Sequence, residues 1–381
     1  MFRRLLNASK ANSFFIFGAR GSGKSTYIQS QFEGPIHYIN FLEDQIYQRY
    51  SRHPDLLIED LKSAELKKKW VVLDEIQKIP KILDVVHLLI EKEKIKFILT
   101  GSSARKLKRG SANLLAGRAF SYQMFPLTYR ELGESFNLDD VLTWGSLPKV
   151  FSLESSDRAE YLRSYGSTYL REEILQEQIV RNGIAFQHFL DIAAQENGKL
   201  VNYAKISKDV GVDTKTVQNY FQILDDTMLG YLVPAYHRSI RKAVGMHPKF
   251  YLFDVGIKRA LEGTLQQTLK PQTSAYGWAF EHFLVCEIIR LNSYLRKDYR
   301  VFHYYTTAGG DVDLVLMRGR EVIAIEIKSS FRVDRNEVKK LDRVASAIKP
   351  TQIFYISQDQ VKSQIGKVAC VHWRDFFDEL F

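Results

Sequence analysis

Cysteine is nearly absent: Cys286 and Cys370 are the two in 381 residues, and each lies in an apolar segment. Two thiols cannot make a disulfide framework, so the chain must be held by core packing, with both cysteines expected as buried, reduced thiols. Long apolar runs are missing too. No stretch approaches the roughly 18 residues that span a bilayer, and the first residues carry no secretory apolar region. These absences make the expectation a cytoplasmic protein with no membrane partner. Acid is also short, with 44 Asp and Glu against 54 Lys and Arg and a formal charge of +10. That balance favours a polyanionic partner, although a lysine-rich surface also serves solubility. What remains is 45% hydrophobic and 26% charged residues, enough for two or three domains with sizeable cores.

The organising stretch is Gly18-Ala-Arg-Gly-Ser-Gly-Lys-Ser-Thr26. Phe14 to Phe17 before it has the length and β-propensity of a buried strand, and a helical pattern follows. Only a chain free of Cβ clashes can wrap its N–H groups around phosphate oxygens, which explains Gly18, Gly21 and Gly23. The backbone from Arg20 to Ser22 would line that cradle, and the helix beginning near Thr26 adds its positive end. Lys24 is expected to reach the β- and γ-phosphates of ATP, and the Ser25 hydroxyl to sit on Mg²⁺.

Hydrolysis also needs an acidic strand end. Trp70 to Glu75 supplies it, about 50 residues downstream, because apolar β-formers there run into two carboxylates at the carboxyl edge of a parallel sheet. Asp74 is expected to hold Mg²⁺ largely through water, and Glu75 to orient the attacking water. Further strands are expected at 36–41 and 96–101 and helices at 55–69 and 81–93, so strand and helix alternate as in a parallel sheet covered on both faces. Thr100 and Ser102 end the last strand, where a hydroxyl can meet the attacking water or γ-phosphate, or cap the next helix. From Ser102 to Arg118 five cations, Arg105, Lys106, Lys108, Arg109 and Arg118, stand without an acid, which suggests a phosphate contact.

Five separated motifs, the phosphate loop, Leu73-Asp-Glu75, Leu99-Thr-Gly-Ser-Ser-Ala104, Leu115-Ala-Gly-Arg118 and Phe125-Pro-Leu-Thr128 with Glu131-Leu132, occur in order. Together they resemble the prokaryotic AAA-type ATPases that carry a C-terminal domain of uncharacterised function, and the likeness runs through nearly the whole chain. It implies an ATPase core, a winged-helix middle and a restriction-endonuclease-like C-terminal domain. It makes Thr100 a sensor-type residue and Arg118 a candidate for the γ-phosphate, in its own subunit or a neighbour, with a loop-fixing salt bridge as the other role for Arg118. Homo-oligomerisation is left open by the same likeness.

The expected boundaries are 1–155 for the ATPase, 156–263 for a helical winged-helix domain and 264–381 for a small α/β nuclease-like domain. The first break falls at the polar stretch 152–157, followed by a helical pattern over 158–179 whose Glu172, Glu173 and Glu177 read as a solvated side. In the middle region, helices at 186–195, 202–210 and 214–225 precede a strand at 229–233, with Asp213 as an N-cap. The third helix buries Val217, Tyr220, Phe221 and Leu224 and turns Lys215, Gln218 and Asn219 outward, residue types that read phosphates and base edges. Arg238, Arg241 and Lys242 would extend that surface toward DNA. Such modules also serve as protein-binding or structural units. Asp254 ends another strand and reads as a structural carboxylate.

After a Gln/Thr/Ser-rich stretch, 264–274, a helix over 277–291 and strands 302–305, 311–316, 322–328 and 352–356 complete the chain, the second and third strands as a hairpin. Alternation puts Glu326 and Lys328 on one face, and pairing can bring Asp313 beside them. Asp, Glu-x-Lys and a helical acid make the PD-(D/E)xK nuclease pattern, in which carboxylates hold Mg²⁺ or Mn²⁺ at a scissile phosphate and lysine positions the water. Glu281 is the helical acid because Trp278-Ala-Phe-Glu281 matches the resembled family. The reading is a Mg²⁺-dependent ATP hydrolase whose nucleotide state controls a DNA-binding C-terminal half that cleaves if Asp313, Glu326 and Lys328 are active. The alternative is an ATP-dependent switch that binds a protein partner through inactive modules.

Overall fold

The computed structural model describes residues 2–32, 36–63, 70–102, 105, 107, 115, 117–170, 183–237, 245–306 and 309–381. They form two compact units, Met1–Leu127 with Asp226–Leu229, and Thr128–Asp225 with Gly230–Phe381.

In the first unit the chain runs through β1 (Ser13–Phe17), α1 (Lys24–Gln31), β2 (Ile36–Asn40), α2 (Asp44–Arg52), α3 (Leu56–Ser63), β3 (Trp70–Asp74), α4 (Ile82–Glu93), β4 (Lys96–Gly101) and β5 (Ala119–Gln123). The strands make one five-stranded sheet in the order β2-β3-β4-β1-β5. Every neighbouring pair is parallel. Phe14 to Phe17, Val71 to Leu73 and Phe97 to Leu99 are buried, as central strands of a parallel sheet covered on both faces must be. This α/β arrangement is consistent with a P-loop NTPase. The edge strand β5 has no counterpart in the sequence reading, since Tyr122 is its one buried residue and it shows no apolar run. Likewise α2 has no counterpart in the sequence reading and buries Tyr50 alone.

The second unit opens with α5 (Tyr129–Leu132), α6 (Leu138–Trp144), α7 (Ser155–Ser164), α8 (Gly183–Gln195), α9 (Tyr203–Val210) and α10 (Thr214–Asp226), followed by the antiparallel ribbon β6 (Gly230–Val233) and β7 (Lys249–Leu252) and by α11 (Val255–Leu261). Phe189 of α8 meets Phe221 of α10 with ring centroids 4.8 Å apart, so the apolar stripe anticipated on α10 does face the helical core. Asn202 and Asp213 cap α9 and α10 by accepting from Lys205 N and Thr216 N, each at 3.0 Å. The expected helix over 158–179 is α7 and its continuation to Leu170; Glu172, Glu173 and Glu177 lie outside the described residues.

Next come α12 (Ser274–Tyr294), β8 (Arg300–Tyr305), β9 (Asp311–Arg318), β10 (Glu321–Ile327), α13 (Arg335–Ala345), β11 (Gln352–Ser357), β12 (Ser363–Ile365), β13 (Val368–His372) and α14 (Trp373–Leu380). The six strands lie in the order β12-β13-β11-β10-β9-β8. The β9–β10 hairpin forms as expected, with Ile325 opposite Leu314. Cys286 and Cys370 are both free and buried.

The breaks expected near 155 and 263 both fall inside the second unit. Ser155 begins α7, and the polar stretch 264–274 is tied by the buried Arg259, which donates to Thr264 O at 2.7 Å and to Gln267 O. Asp254 is structural, as anticipated: it accepts from Ser146 N at 2.7 Å and caps α11 through Ile257 N at 3.2 Å.

Candidate nucleotide site and C-terminal carboxylate cluster

The loop from Gly18 to Gly23 joins the carboxyl end of β1 to the start of α1. Gly21 and Gly23 hold φ of 75° and 96°, the left-handed region that glycine alone enters freely. At Gly18 a Cβ would lie 2.2 Å from the Met124 carbonyl oxygen, so any side chain there would push the loop off β5. Arg4, which the sequence reading passed over, donates to Ser22 O at 2.7 Å and to Phe125 O at 2.6 Å and so clamps the same junction. Arg20 and Gly21 are exposed at the loop and Ser25 and Thr26 on the first turn of α1, while Ser22 is buried. Lys24 is buried, and its ammonium donates to Gly18 O at 2.6 Å and Ala19 O at 3.3 Å. A phosphate at the loop would offer that ammonium a charged acceptor in exchange for two neutral ones.

Opposite the loop, Asp74 ends β3 and accepts from two hydroxyls, Thr100 at Oδ1 and Tyr38 at Oδ2. The Tyr38 proton is held by burial and by the Asp74 carboxylate. Tyr38, Asp74 and Thr100 thus form an all-oxygen group, and Asp74 with the exposed Ser25 of α1 supplies the oxygen donors that would suit Mg²⁺ beside a nucleotide. Glu75 follows at φ 58°, a costly conformation for a residue with a side chain, of order 1 kcal/mol or more. Gln77 fixes its carboxylate: Nε2 donates to Glu75 Oε2 at 2.5 Å and to Ser102 Oγ at 3.1 Å. Gly101 is glycine for this amide, since a Cβ there would come within 2.2 Å of Gln77 Oε1.

Residues 10–133 match the model of an AAA domain. This part of the chain is a P-loop ATPase-type domain. Residues 135–268 and 276–375 match two domains of unknown function, DUF8612 and DUF4143. Among curated proteins, an uncharacterized protein of Haemophilus influenzae is 22% identical over 387 residues, covering 94% of this chain and 93% of its own. An uncharacterized protein of Mycobacterium tuberculosis is 23% identical over 261 residues, covering 68% of this chain, and the match spans 58% of the mycobacterial protein. Among solved structures, Drosophila ORC bound to AT-rich DNA and Cdc6 matches at 10% identity and TM-score 0.22, covering 68% of this chain and 87% of that one. Can2 from Sulfobacillus thermosulfidooxidans with cyclic tetra-adenylate gives 10% and 0.22, with 91% and 98% covered. Likeness at that level carries no functional argument.

In the ATPase domain the described part of the cationic stretch is ion-paired, and for Arg118 this is the salt-bridge role expected beside the γ-phosphate contact. Arg105 is buried and paired with Asp226 at 3.0 Å, and Arg118 is paired with the exposed Glu91 on α4. Lys106, Lys108 and Arg109 lie outside the described residues. Lys215, Gln218 and Asn219 are exposed on α10, as anticipated; Arg238, Arg241 and Lys242 lie outside the described residues.

The C-terminal carboxylates do converge. Asp313 on β9 accepts from Ile327 N of β10 at 2.8 Å, and Glu326 on β10 pairs with Lys328 at 2.6 Å. Glu281 on α12 accepts from the Tyr251 hydroxyl at 2.7 Å. The residue the sequence reading missed is Lys249, at the start of β7. Its ammonium lies 3.7 Å from Glu281 Oε1 and 3.6 Å from Asp313 Oδ1. Burial and Asp313 raise the Glu281 pKa against the opposing pull of Lys249, and burial and Asp313 raise that of Glu326 against Lys328. Burial works against charge on both lysines, but the surrounding carboxylates outweigh it and hold them protonated. Among the described residues no three His, Cys, Asp or Glu side chains are arranged to hold a metal ion. In the expected metal set, Lys249 stands against one oxygen each of Glu281 and Asp313 and Lys328 against Glu326 Oε1, while Glu326 Oε2 is buried without a hydrogen-bond partner.

Proposed function

We propose that this protein is a Mg²⁺-dependent ATP hydrolase whose nucleotide state controls a nucleic-acid-binding second unit. The observation that carries the reading is that the Gly18–Ser25 loop follows β1, and Asp74 and Glu75 end β3, at the same carboxyl edge of one parallel sheet. In this reading the loop and Lys24 bind the β- and γ-phosphates, Ser25 and Asp74 hold Mg²⁺, and Glu75, kept in line by Gln77, orients the attacking water. Thr100 reports the state of Asp74. Arg118 reaches the γ-phosphate only if it gives up Glu91.

The reading takes the three helices α8, α9 and α10 with the β6–β7 ribbon as a winged helix, in which the outward Lys215, Gln218 and Asn219 would meet duplex DNA. The lysine-engaged carboxylates favour a C-terminal body that binds rather than cuts, so cleavage is left out of the reading. A nucleotide-driven protein adaptor is the second reading, favoured by the same observation. The test is steady-state ATP hydrolysis with and without Mg²⁺, repeated with duplex DNA. No hydrolysis with Mg²⁺ would sink the first claim, and hydrolysis indifferent to DNA with no DNA binding at low salt would favour the adaptor.

A further inference from the structure

We propose that Lys249 is the permanent cation of the C-terminal carboxylate cluster: its ammonium fills the place a divalent metal would take between Glu281 and Asp313, and fastens the β6–β7 ribbon to the C-terminal sheet.

The geometry begins with strand alternation. Lys249 and Tyr251 are two residues apart on β7 and so project from one face of the ribbon. Both end on α12, the ammonium 3.7 Å from Glu281 Oε1 and the phenol donating to the same oxygen at 2.7 Å. Phe250, between them, points to the other face and packs against Phe221 of α10 at 4.9 Å. One short strand therefore carries a helical core on one side and the acidic cluster on the other.

The lysine is not on a loop that could easily withdraw. All four residues of β7 are buried, Lys249 itself at 9% exposure. Its strand is paired on one side with β6, Lys249 opposite Val233, and on the other bridges Leu200. Gly198 N and Val201 N donate to Phe250 O and Pro248 O at 2.7 and 2.8 Å, which pins the backbone on both sides of it. The cluster also carries its own cations. Lys249 and Lys328 pair with Glu281, Asp313 and Glu326, and Asp311 acts on Lys249 and Glu326 from further away, so two fixed ammonium groups already offset much of the acidic charge. A divalent ion needs carboxylate oxygens at roughly 2.0–2.6 Å, and it would have to share them with an ammonium that repels it. An unpaired buried charge is costly, so neither partner can be removed cheaply.

The experiment uses the metal-stripped full chain without nucleotide, which separates it from the ATPase reading. Mn²⁺ binding is followed by titration calorimetry and by melting temperature in the parent, Asp313→Asn, Lys249→Met and the double variant. The expected result is no Asp313-dependent Mn²⁺ binding in the parent and no shift of its melting temperature that Asp313→Asn removes. Lys249→Met should melt lower, bind one Mn²⁺ and regain melting temperature with it, and the double variant should lose that response. Asp313-dependent Mn²⁺ binding by the parent would overturn the proposal, as would a folded Lys249→Met that takes up none. Should Lys249→Met fail to fold, the comparison of the parent with Asp313→Asn still decides.

Discussion

Thr100 donates its hydroxyl to the Asp74 carboxylate, tying the ends of two neighbouring parallel strands at the edge where the phosphate loop opens. Tyr38 holds the other carboxylate oxygen from the third strand in line. The acidic group is thus oriented from both sides before any nucleotide arrives, which is the preorganisation a metal-bridging carboxylate needs. Thr100→Val keeps the shape and removes the donor. We expect ATP affinity to stay within about threefold while kcat falls about tenfold or more, read by nucleotide titration and steady-state hydrolysis. A variant with unchanged kcat would remove Thr100 from the mechanism.

Glu75 and Lys24 should separate binding from turnover. Lys24→Ala deletes the ammonium now held by Gly18 O and Ala19 O, and ATP binding should be lost. Glu75→Gln keeps the Gln77 contact possible and should bind ATP while losing turnover by about a hundredfold or more. Gln77→Ala, which frees the Glu75 side chain, should fall between. Equal hydrolysis by Glu75→Gln and the parent in a phosphate-release assay would discard the assignment.

What could be read from the chain is what local pattern encodes. The phosphate loop, the apolar strands β1, β3 and β4, the cap at Asp213 and the β9–β10 hairpin each announce themselves within a dozen residues. Contacts that join distant segments do not. Tyr38 reaches Asp74 from 36 residues away and Arg4 reaches Phe125 across 121, and neither lies in a motif. Lys249 looks like an ordinary polar strand start, and only pairing with Glu281 and Asp313 gives it meaning. Even so, period-two spacing to Tyr251 was a usable signal. The polar stretch 264–274, read as a linker, spans the gap between the two family matches that end at 268 and begin at 276, and its backbone is tied down by the buried Arg259.

DNA binding, if α10 carries it, should respond to salt and to charge in a defined way. With several phosphates neutralised, affinity for duplex DNA should fall by about 10³ between 50 and 200 mM salt. Lys215→Ala should weaken binding across sequences and lower the slope of log affinity against log salt by about 1, whereas Gln218→Ala should change sequence preference more than slope. Fluorescence anisotropy at a series of salt concentrations reads both. Binding that ignores salt would move the interface away from this basic surface.

The second unit should lose stability as pH rises toward neutrality, and Glu287 is one cause. This carboxyl is fully buried on α12, accepts from Tyr129 N at 3.1 Å and lies 3.2 Å from Arg290 Nη1. Burial pushes its pKa from 4.5 up to about 7, with Arg290 pulling the other way. Between those values the folded chain keeps a proton that the unfolded chain has released. Folding is then favoured at the acid end of the window and loses about 1.4 kcal/mol per pH unit for each such proton as pH rises through it. Glu281 and Glu326, also raised by burial, act in the same direction. The urea midpoint of the parent should therefore be higher at pH 5.5 than at pH 7.5, and Glu287→Gln, which cannot take up the proton, should reduce that difference whatever it does to absolute stability. Burial lowers the His282 and His303 pKa values, so these two push the other way below pH 6.5, and the variant comparison decides: Glu287→Gln with the parent's pH dependence would mean that Glu287 stays ionised beside Arg290 as a fixed salt bridge.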